Sequence, residues 1–317
     1  MNNRLAVKVA VVAILVLFAG ISGFGLGSVK SGSTTASQGT GGLKVLATFL
    51  PVYEDAIDVL GTKGGVKLLV PFGVDVHRYE PTPSAVELVR TADVLVFNGA
   101  GLEPWIPAIV SAADNRELVL VNASQGLPLI RVPSNYQDYD RTVDPHVWND
   151  PVLAQMQVDN IMRGFAQADP ADSAYFAANA DALNARFQFI DQELRTGTLN
   201  VATRTFVSFH ESFGYVAERY GLVQVSIAGP FEEEPTPTDI AGAIAAIAQN
   251  HLCIVFAESL ENPASVNVVA GQTRAHVWTL DPIEGLSQSD LNAGVTYIVK
   301  MQQNVDILLK ALNQADC

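Results

Sequence analysis

Short apolar, β-rich runs alternate along this chain with longer stretches of helical periodicity. Four runs fall in the first half and four in the second, at residues 45–49, 66–70, 94–97, 118–121, 205–209, 223–227, 253–257 and 276–280. Uninterrupted apolar strands separated by helices are typical of parallel sheets covered on both faces. The pattern predicts an α/β fold of two lobes, each a parallel sheet flanked by helices.

The strongest helical signal lies between the two halves. Six apolar residues recur there at spacings of three and four, which places them on one helix face: Phe176, Ala180, Leu183, Phe187, Ile190 and Leu194. Helix punctuation at Pro170 and Gly197 predicts a continuous helix over residues 172–195, about 35 Å long. We therefore expect an N-terminal lobe at 43–171, a connecting helix at 172–196 and a C-terminal lobe at 197–317.

The N-terminus indicates a compartment outside the cytoplasm. Arg4 and Lys8 precede an uncharged apolar stretch, residues 9–26, that suits either a cleaved secretion signal or a short membrane anchor. We assign residues 1–28 to this segment and leave the two alternatives open. A Ser-, Gly- and Thr-rich stretch of the flexible kind follows at residues 29–42, and the folded part begins near Leu43.

The cysteine content indicates a possible disulfide, and the net charge restricts the class of binding partner. In an oxidising compartment Cys253 and Cys317 could form one disulfide, the alternative being a buried thiol and a second thiol at the end of the chain. The formal net charge is -14. This balance argues against a nucleic-acid partner, because phosphate binding needs clustered Lys and Arg.

Three of the five histidines lie in polar, turn-like contexts near strand ends. They are His77, His146 and His210, and Asp281 ends the last predicted strand in the same way. In parallel α/β sheets, ligands bind outside the carboxyl ends of the strands. Three imidazoles and one carboxylate would make a tetrahedral zinc site that takes two donors from each lobe.

The sequence motifs around these residues resemble those of a known family. GVDVHRYEPTPSAVELVRTADVLVFNGAGLEPWI, DPHVWNDP, SFHESFGYVAERYGL and EEEPTPTDIA occur in the order found in the zinc- and manganese-binding receptors of ABC transporters, the solute-binding protein 9 family. The resemblance covers nearly all of the chain from about Leu43. It implies two α/β lobes joined by one long helix, and metal ligation by His77, His146, His210 and Asp281.

The resemblance also implies the function. The chain would be an extracytoplasmic receptor, expected as a monomer, that binds one metal ion and delivers it to a membrane permease. Manganese-carrying relatives usually have Glu where this chain has His210, which favours zinc, as does the preference of imidazole for zinc. However, the stretch at 128–143 lacks the histidines found in many zinc-specific relatives, so manganese stays open as an alternative.

Two other functional classes remain as alternatives. Three histidines with Glu211 adjacent to one of them could form a zinc-dependent hydrolase, in which the metal keeps an open position. A fourth protein donor argues against this, and Glu211 could instead accept a hydrogen bond from an imidazole. Some members of the family are described as adhesins, so a role in cell adhesion is the other alternative.

Overall fold

Each half of the chain forms a four-stranded parallel sheet in the computed structural model, which describes residues 41–132, 141–231 and 233–314. The strand orders are β2-β1-β3-β4 and β6-β5-β7-β8, so the two halves share one topology. The strands are β1 (Leu43–Ala47), β2 (Gly64–Leu68), β3 (Val94–Phe97), β4 (Val119–Asn122), β5 (Thr205–His210), β6 (Val223–Ala228), β7 (Ile254–Ala257) and β8 (His276–Thr279). The prediction of two parallel sheets is confirmed, with every boundary within two residues.

Ten helices surround these sheets in the described ranges. They are α1 (Leu50–Leu60), α2 (Pro83–Thr91), α3 (Ile106–Ala113), α4 (Pro151–Ala168), α5 (Ser173–Gly197), α6 (Gly214–Tyr220), α7 (Pro237–Asn250), α8 (Ala264–Thr273), α9 (Gln288–Ala293) and α10 (Tyr297–Leu312). Two short 3-10 helices, Val147–Asn149 and Pro170–Asp172, precede α4 and α5. Three helices begin with Pro behind a capping side chain, from Thr82, Asp150 and Thr236, which satisfies free backbone N–H groups.

The long helix α5 connects the two halves, as its periodicity predicts. All six apolar residues of the predicted face are buried. Phe176 packs edge-on against Phe165 of α4, with ring centroids 5.7 Å apart, and Phe187 lies 5.7 Å from Tyr297 of α10. One face of α5 therefore packs against helices from both sides of the connection, which stabilises the arrangement of the two sheets.

Hydrogen bonds also cross between the halves beside His146. The indole N–H of Trp148 donates to the carbonyl of Pro282 at 2.7 Å, and the Tyr297 hydroxyl donates to the carbonyl of Trp148 at 2.5 Å. Arg219 forms an ion pair with the buried carboxylate of Asp150, at 2.5 Å. The segment after His146 is thus fixed to both halves of the fold.

Some sequence predictions concern parts of the chain that the structure does not describe. Residues 1–40, with the predicted signal or anchor and most of the linker, lie outside the described residues. Within the described ranges, no helix is both long and apolar enough to cross a membrane. Cys253 is buried, while Cys317 lies outside the described residues, so the pairing of these two cysteines remains a prediction.

Candidate metal site

The three predicted histidines meet at the carboxyl ends of the strands. His77 lies in the loop after β2, His146 immediately precedes the first 3-10 helix, and His210 is the last residue of β5. The Nε2 atom of His146 lies 3.3 Å from Nε2 of His77 and 3.1 Å from Nε2 of His210. All three residues are buried. The fold therefore brings three imidazole nitrogens, from both halves of the chain, together at one point.

The carboxylate that completes this cluster belongs to Glu284, in the loop after β8. Its Oε1 atom lies 3.2 Å from Nε2 of His77, 3.4 Å from that of His146 and 3.5 Å from that of His210. The Glu284 side chain is only 8% exposed. These four donor atoms all lie within 4.8 Å of one another.

Asp281, the carboxylate expected from the sequence, is not part of the cluster. One of its oxygens accepts from the Lys300 ammonium at 2.5 Å and from the Ser259 hydroxyl, and the other accepts from the backbone N–H of Ile283 at 2.8 Å. Its own backbone is held by hydrogen bonds with Asn304. The ion pair with a buried lysine holds this side chain, so Asp281 lies outside the cluster and its role as a ligand stays a prediction.

The spacing of the four atoms suits a tetrahedral zinc ion. Zinc–nitrogen bonds of about 2.0–2.1 Å imply donor atoms about 3.3–3.4 Å apart at the corners of a tetrahedron. Five of the six separations in the cluster are those given above, between 3.1 and 3.5 Å. These five separations are thus already close to those that zinc would impose.

Two carboxylates orient two of the imidazole rings. Asp144 Oδ1 accepts from the Nδ1–H of His146 at 2.7 Å and from its backbone N–H at 2.9 Å. Glu258 Oε1 accepts from the Nδ1–H of His210 at 2.7 Å and from its backbone N–H at 3.2 Å. An ionised carboxylate can only accept, so both rings carry a proton on Nδ1 and direct Nε2 to the cluster.

His77 is held differently. Its backbone N–H donates to Asp75 at 2.7 Å, and its carbonyl accepts from Arg141 at 3.1 Å. Its Nδ1 atom is buried and has no hydrogen-bond partner among the described residues. The orientation of this ring therefore depends on packing and on Glu284 rather than on a dedicated acceptor.

Burial and charge act in opposite directions on the protonation of the cluster. Burial lowers the pKa of His77. Burial also lowers the pKa of His146 and His210, but the carboxylates of Asp144 and Glu258, with Glu284, outweigh it and raise both values. The imidazoles in turn outweigh burial at Glu284 and hold its pKa well below the usual range. The cluster thus keeps an ionised carboxylate among basic nitrogens.

Sequence reasoning missed Glu258 and Glu284. It considered Glu211 as the acceptor for an imidazole, because Glu211 follows His210 directly. Adjacent residues in a strand point to opposite faces, whereas Glu258 follows the neighbouring strand β7, and the structure gives it that role. The signal for Glu258 is the end of the parallel strand next to β5, and the signal for Glu284 is its position five residues after the end of β8.

Comparison with known proteins gives the family. The profile of the family described as "ZnuA: Zinc-uptake complex component A periplasmic" matches residues 45–311. The chain belongs to this family. The ZnuA family is one of solute-binding receptors for zinc uptake rather than of enzymes. The description as periplasmic agrees with the extracytoplasmic compartment expected from the N-terminus.

Curated relatives in this family bear zinc-related names. The chain is 32% identical over 279 residues to the "High-affinity zinc uptake system protein ZnuA" of Bacillus subtilis, covering 85% of this chain and 88% of the relative. It is 30% identical over 286 residues to the "Zinc-binding lipoprotein AdcA" of Streptococcus pneumoniae. That match covers 87% of this chain but only 56% of AdcA, so the chain spans about half of that longer protein.

Solved structures of the family have the same fold. The Zn(II)-bound ZnuA-like domain of Streptococcus pneumoniae AdcA superposes with a TM-score of 0.75 at 29% identity, over 86% of this chain and all of that domain. The laminin-binding adhesin Lmb of Streptococcus agalactiae gives a TM-score of 0.77 at 28% identity, over 86% of this chain and 100% of that chain. The two-lobed architecture is therefore that of ZnuA-like proteins.

Proposed function

We propose that this chain captures one Zn²⁺ ion outside the cytoplasm and delivers it to an ABC permease. The observation that carries the proposal is the contact between His146 and His210. Both rings use their Nδ1–H toward a carboxylate, so their Nε2 atoms face each other across 3.1 Å in a buried place. In the neutral rings these two lone pairs repel unless a proton or a metal ion lies between them, and a zinc ion would satisfy both.

The donor set of the proposal is His77, His146, His210 and Glu284. It differs from the set implied by the sequence resemblance in one residue, since Glu284 replaces Asp281. Glu284 supplies a negative charge that offsets half of the charge of a divalent ion. Four protein donors would close the coordination shell, which suits capture and transfer, whereas a catalytic zinc keeps one position for water or substrate.

Zinc is favoured over manganese by the chemistry of the donors. Imidazole nitrogen binds zinc more strongly than manganese along the Irving–Williams series, and manganese prefers oxygen ligands in octahedral geometry. Three of the four donors here are imidazoles. The names of the relatives ZnuA and AdcA support the same choice.

Parallel calorimetric titrations test the proposal. The purified chain is stripped of metal with a chelator, and Zn²⁺ and Mn²⁺ are titrated separately at one pH. We expect one tight site for Zn²⁺ per chain and much weaker binding of Mn²⁺. Comparable or tighter Mn²⁺ binding would leave a metal receptor but overturn the zinc assignment, and no tight binding of either ion would overturn the receptor itself.

Adhesion is a second candidate function. One structural neighbour, at 28% identity and a TM-score of 0.76, is described as "a bifunctional protein with adhesin and metal transporting activity" and binds laminin. Adsorption of the chain to immobilised laminin, measured with zinc-loaded and zinc-free protein, tests this role. Binding no greater than to immobilised albumin would rule it out.

A further inference from the structure

A cavity with acidic walls adjoins the histidine cluster. It has a volume of about 90 Å³ and is lined by three loops at the carboxyl ends of strands. Five of the residues that line it carry carboxylates: Asp75, Glu258, Glu261, Asp281 and Glu284. Since one water molecule needs only about 10–15 Å³ by this measure, the cavity can hold a small cation with several waters.

The cavity runs between exposed residues and the metal cluster. Val74 and Leu260, which line one part, are 39% exposed each. Glu258 and Glu284 line another part, and their side chains are 3% and 8% exposed. Glu284 thus belongs to both the cavity and the cluster. An ion in the cavity would have a carboxylate of the final site as its neighbour.

One buried oxygen of the cavity has no partner. Glu258 uses Oε1 to hold His210, while its Oε2 atom is buried and makes no hydrogen bond to any described residue. Leaving a carboxylate oxygen buried and unpaired costs free energy. A hydrated cation in the cavity would supply the missing donor through one of its waters.

The other carboxylates differ in how far they are neutralised. Asp281 is paired with Lys300, and Asp75 forms an ion pair with the exposed Arg78 at 3.2 Å. Glu261 has no hydrogen bond or ion pair within the described part of the chain. Burial raises its pKa, and so do the negative charges of Asp75 and Glu258. Among the acids that line the cavity, Glu261 is therefore the one without an ion pair among the described residues, and Glu258 pairs with His210 through Oε1 alone.

We propose that this cavity is a staging site, where a hydrated divalent cation waits on its way to the histidines. The inference rests on the proposed function, because it supplies the route for the same ion. Oxygen atoms hold hydrated cations weakly and release them fast, whereas imidazoles hold zinc tightly. The ion would enter past Glu261, meet Glu258 through its waters, and shed them as Glu284 and the imidazoles replace them.

Loading kinetics of full-length Glu261→Gln and Glu261→Lys test the staging site. Glu117→Gln and Glu117→Lys are matched controls, because Glu117 is exposed and its carboxylate has no partner among the described residues. Zinc loading of metal-free protein is followed by stopped-flow, and release by transfer to a chelator. We expect Glu261→Gln to slow loading about three- to tenfold, Glu261→Lys to slow it further, and the controls to change it less than twofold.

The equilibrium affinity for zinc distinguishes two roles of Glu261: one on the entry route of the ion, and one in holding the bound ion. Glu261 does not contact the four donors, so both loading and release should slow together and the equilibrium Kd should change less than loading does. Equal loading rates in Glu261 and Glu117 variants would overturn the staging site, and so would faster release with unchanged loading. A wild-type chain that binds no zinc would instead overturn the proposed function.

Discussion

Glu258 Oε1 lies 2.7 Å from Nδ1 of His210, and the same oxygen also accepts the backbone N–H of that residue at 3.2 Å. Both groups are buried. The pair fixes the tautomer and the rotation of the ring, and it directs Nε2 to the centre of the histidine cluster. The precision of the site therefore depends on a residue that is not one of the four donors.

Glu258→Gln should weaken zinc binding about 10- to 100-fold. Glutamine keeps an acceptor oxygen but loses the negative charge that makes the imidazole a stronger donor. Calorimetry at a fixed pH gives the change in Kd. Glu211→Gln is the matched control, since Glu211 follows His210 in sequence but does not hold its ring. A larger loss in Glu211→Gln than in Glu258→Gln would contradict the assignment.

Glu284→Gln and Asp281→Asn should differ in their effects on zinc binding. Glu284→Gln removes the charged donor and should weaken zinc binding at least as much as Glu258→Gln, and it should also destabilise the metal-free fold near neutral pH, because the imidazoles stabilise the ionised carboxylate there. Asp281→Asn leaves Lys300 facing one fewer negative charge in a buried place, which should destabilise the fold by about 3–5 kcal/mol. Zinc affinity of the folded fraction should change little.

Denaturant unfolding and calorimetry on the two variants separate these outcomes. Asp290 still lies 3.2 Å from the Lys300 ammonium, so the loss in Asp281→Asn could fall at the lower end of that range. If Asp281→Asn abolished zinc binding in a chain that remains folded, and Glu284→Gln did not, Asp281 would be the donor, as the sequence resemblance implies, and the assignment of Glu284 would be wrong.

Zinc affinity should decrease as the pH falls, and the decrease should begin above pH 6.5. The imidazoles must be neutral to bind zinc. The pKa values of His146 and His210 are raised in the metal-free fold, so protons compete with the metal already above the ordinary histidine pKa. His77, whose pKa is lowered, adds to the competition only at lower pH.

Calorimetric titrations in buffers from about pH 8 to pH 5.5 measure this dependence. Between one and about two protons should be released per zinc ion near neutral pH, as judged from buffers of different ionisation enthalpy. The same affinity at both ends of the range would exclude a site in which histidines dominate.

Much of this architecture is present in the sequence. The strands and α5 follow from local patterns, because apolar runs and a periodic face are set by burial against the nearest layers. His210 could be placed by position, since it ends β5, whereas His77 and His146 are indicated by the motifs that resemble the family. The two lobes follow from the repetition of four strands before and after α5.

The fourth donor, a carboxylate, could not be identified from local sequence patterns. Asp281 and Glu284 are three residues apart in one loop, and both could reach the histidines. The choice depends on Lys300 of α10, which pairs with Asp281 from 19 residues away. Similarly, Glu258 reaches His210 because β7 lies beside β5 in the sheet. These contacts are tertiary, and no local pattern encodes them.

A buried glutamate near the cluster gives a prediction about stability. Glu103 accepts from the Thr48 hydroxyl at 2.6 Å and from the backbone N–H groups of Asn98 and Gly99 at 2.8 and 3.0 Å. The Asn98 amide donates in turn to the carbonyl of Pro145, which precedes His146. Glu103 therefore supports the loop beside the metal cluster.

Glu103→Gln should destabilise the metal-free fold by about 1–3 kcal/mol, because an amide N–H₂ must then face a donor. Burial raises the pKa of Glu103 to about 7, so the neutral acid is already partly populated near pH 7. Because the raised pKa means that the fold disfavours the ionised form, the stability of the unsubstituted chain falls as the pH rises through 7, and the loss caused by Glu103→Gln should be smaller at pH 8 than at pH 6. Chemical denaturation of both chains at the two pH values checks this, and a loss that is larger at pH 8 would contradict it.

The central claim is that three imidazoles and Glu284 hold zinc, and crystals of the zinc-loaded chain test it most directly. Anomalous diffraction measured on both sides of the zinc edge locates the ion and identifies the element. The account predicts one peak per chain, about 2.0–2.2 Å from Nε2 of His77, His146 and His210 and from a carboxylate oxygen of Glu284. A peak bound by Asp281 instead of Glu284, or no peak among the histidines, would contradict it.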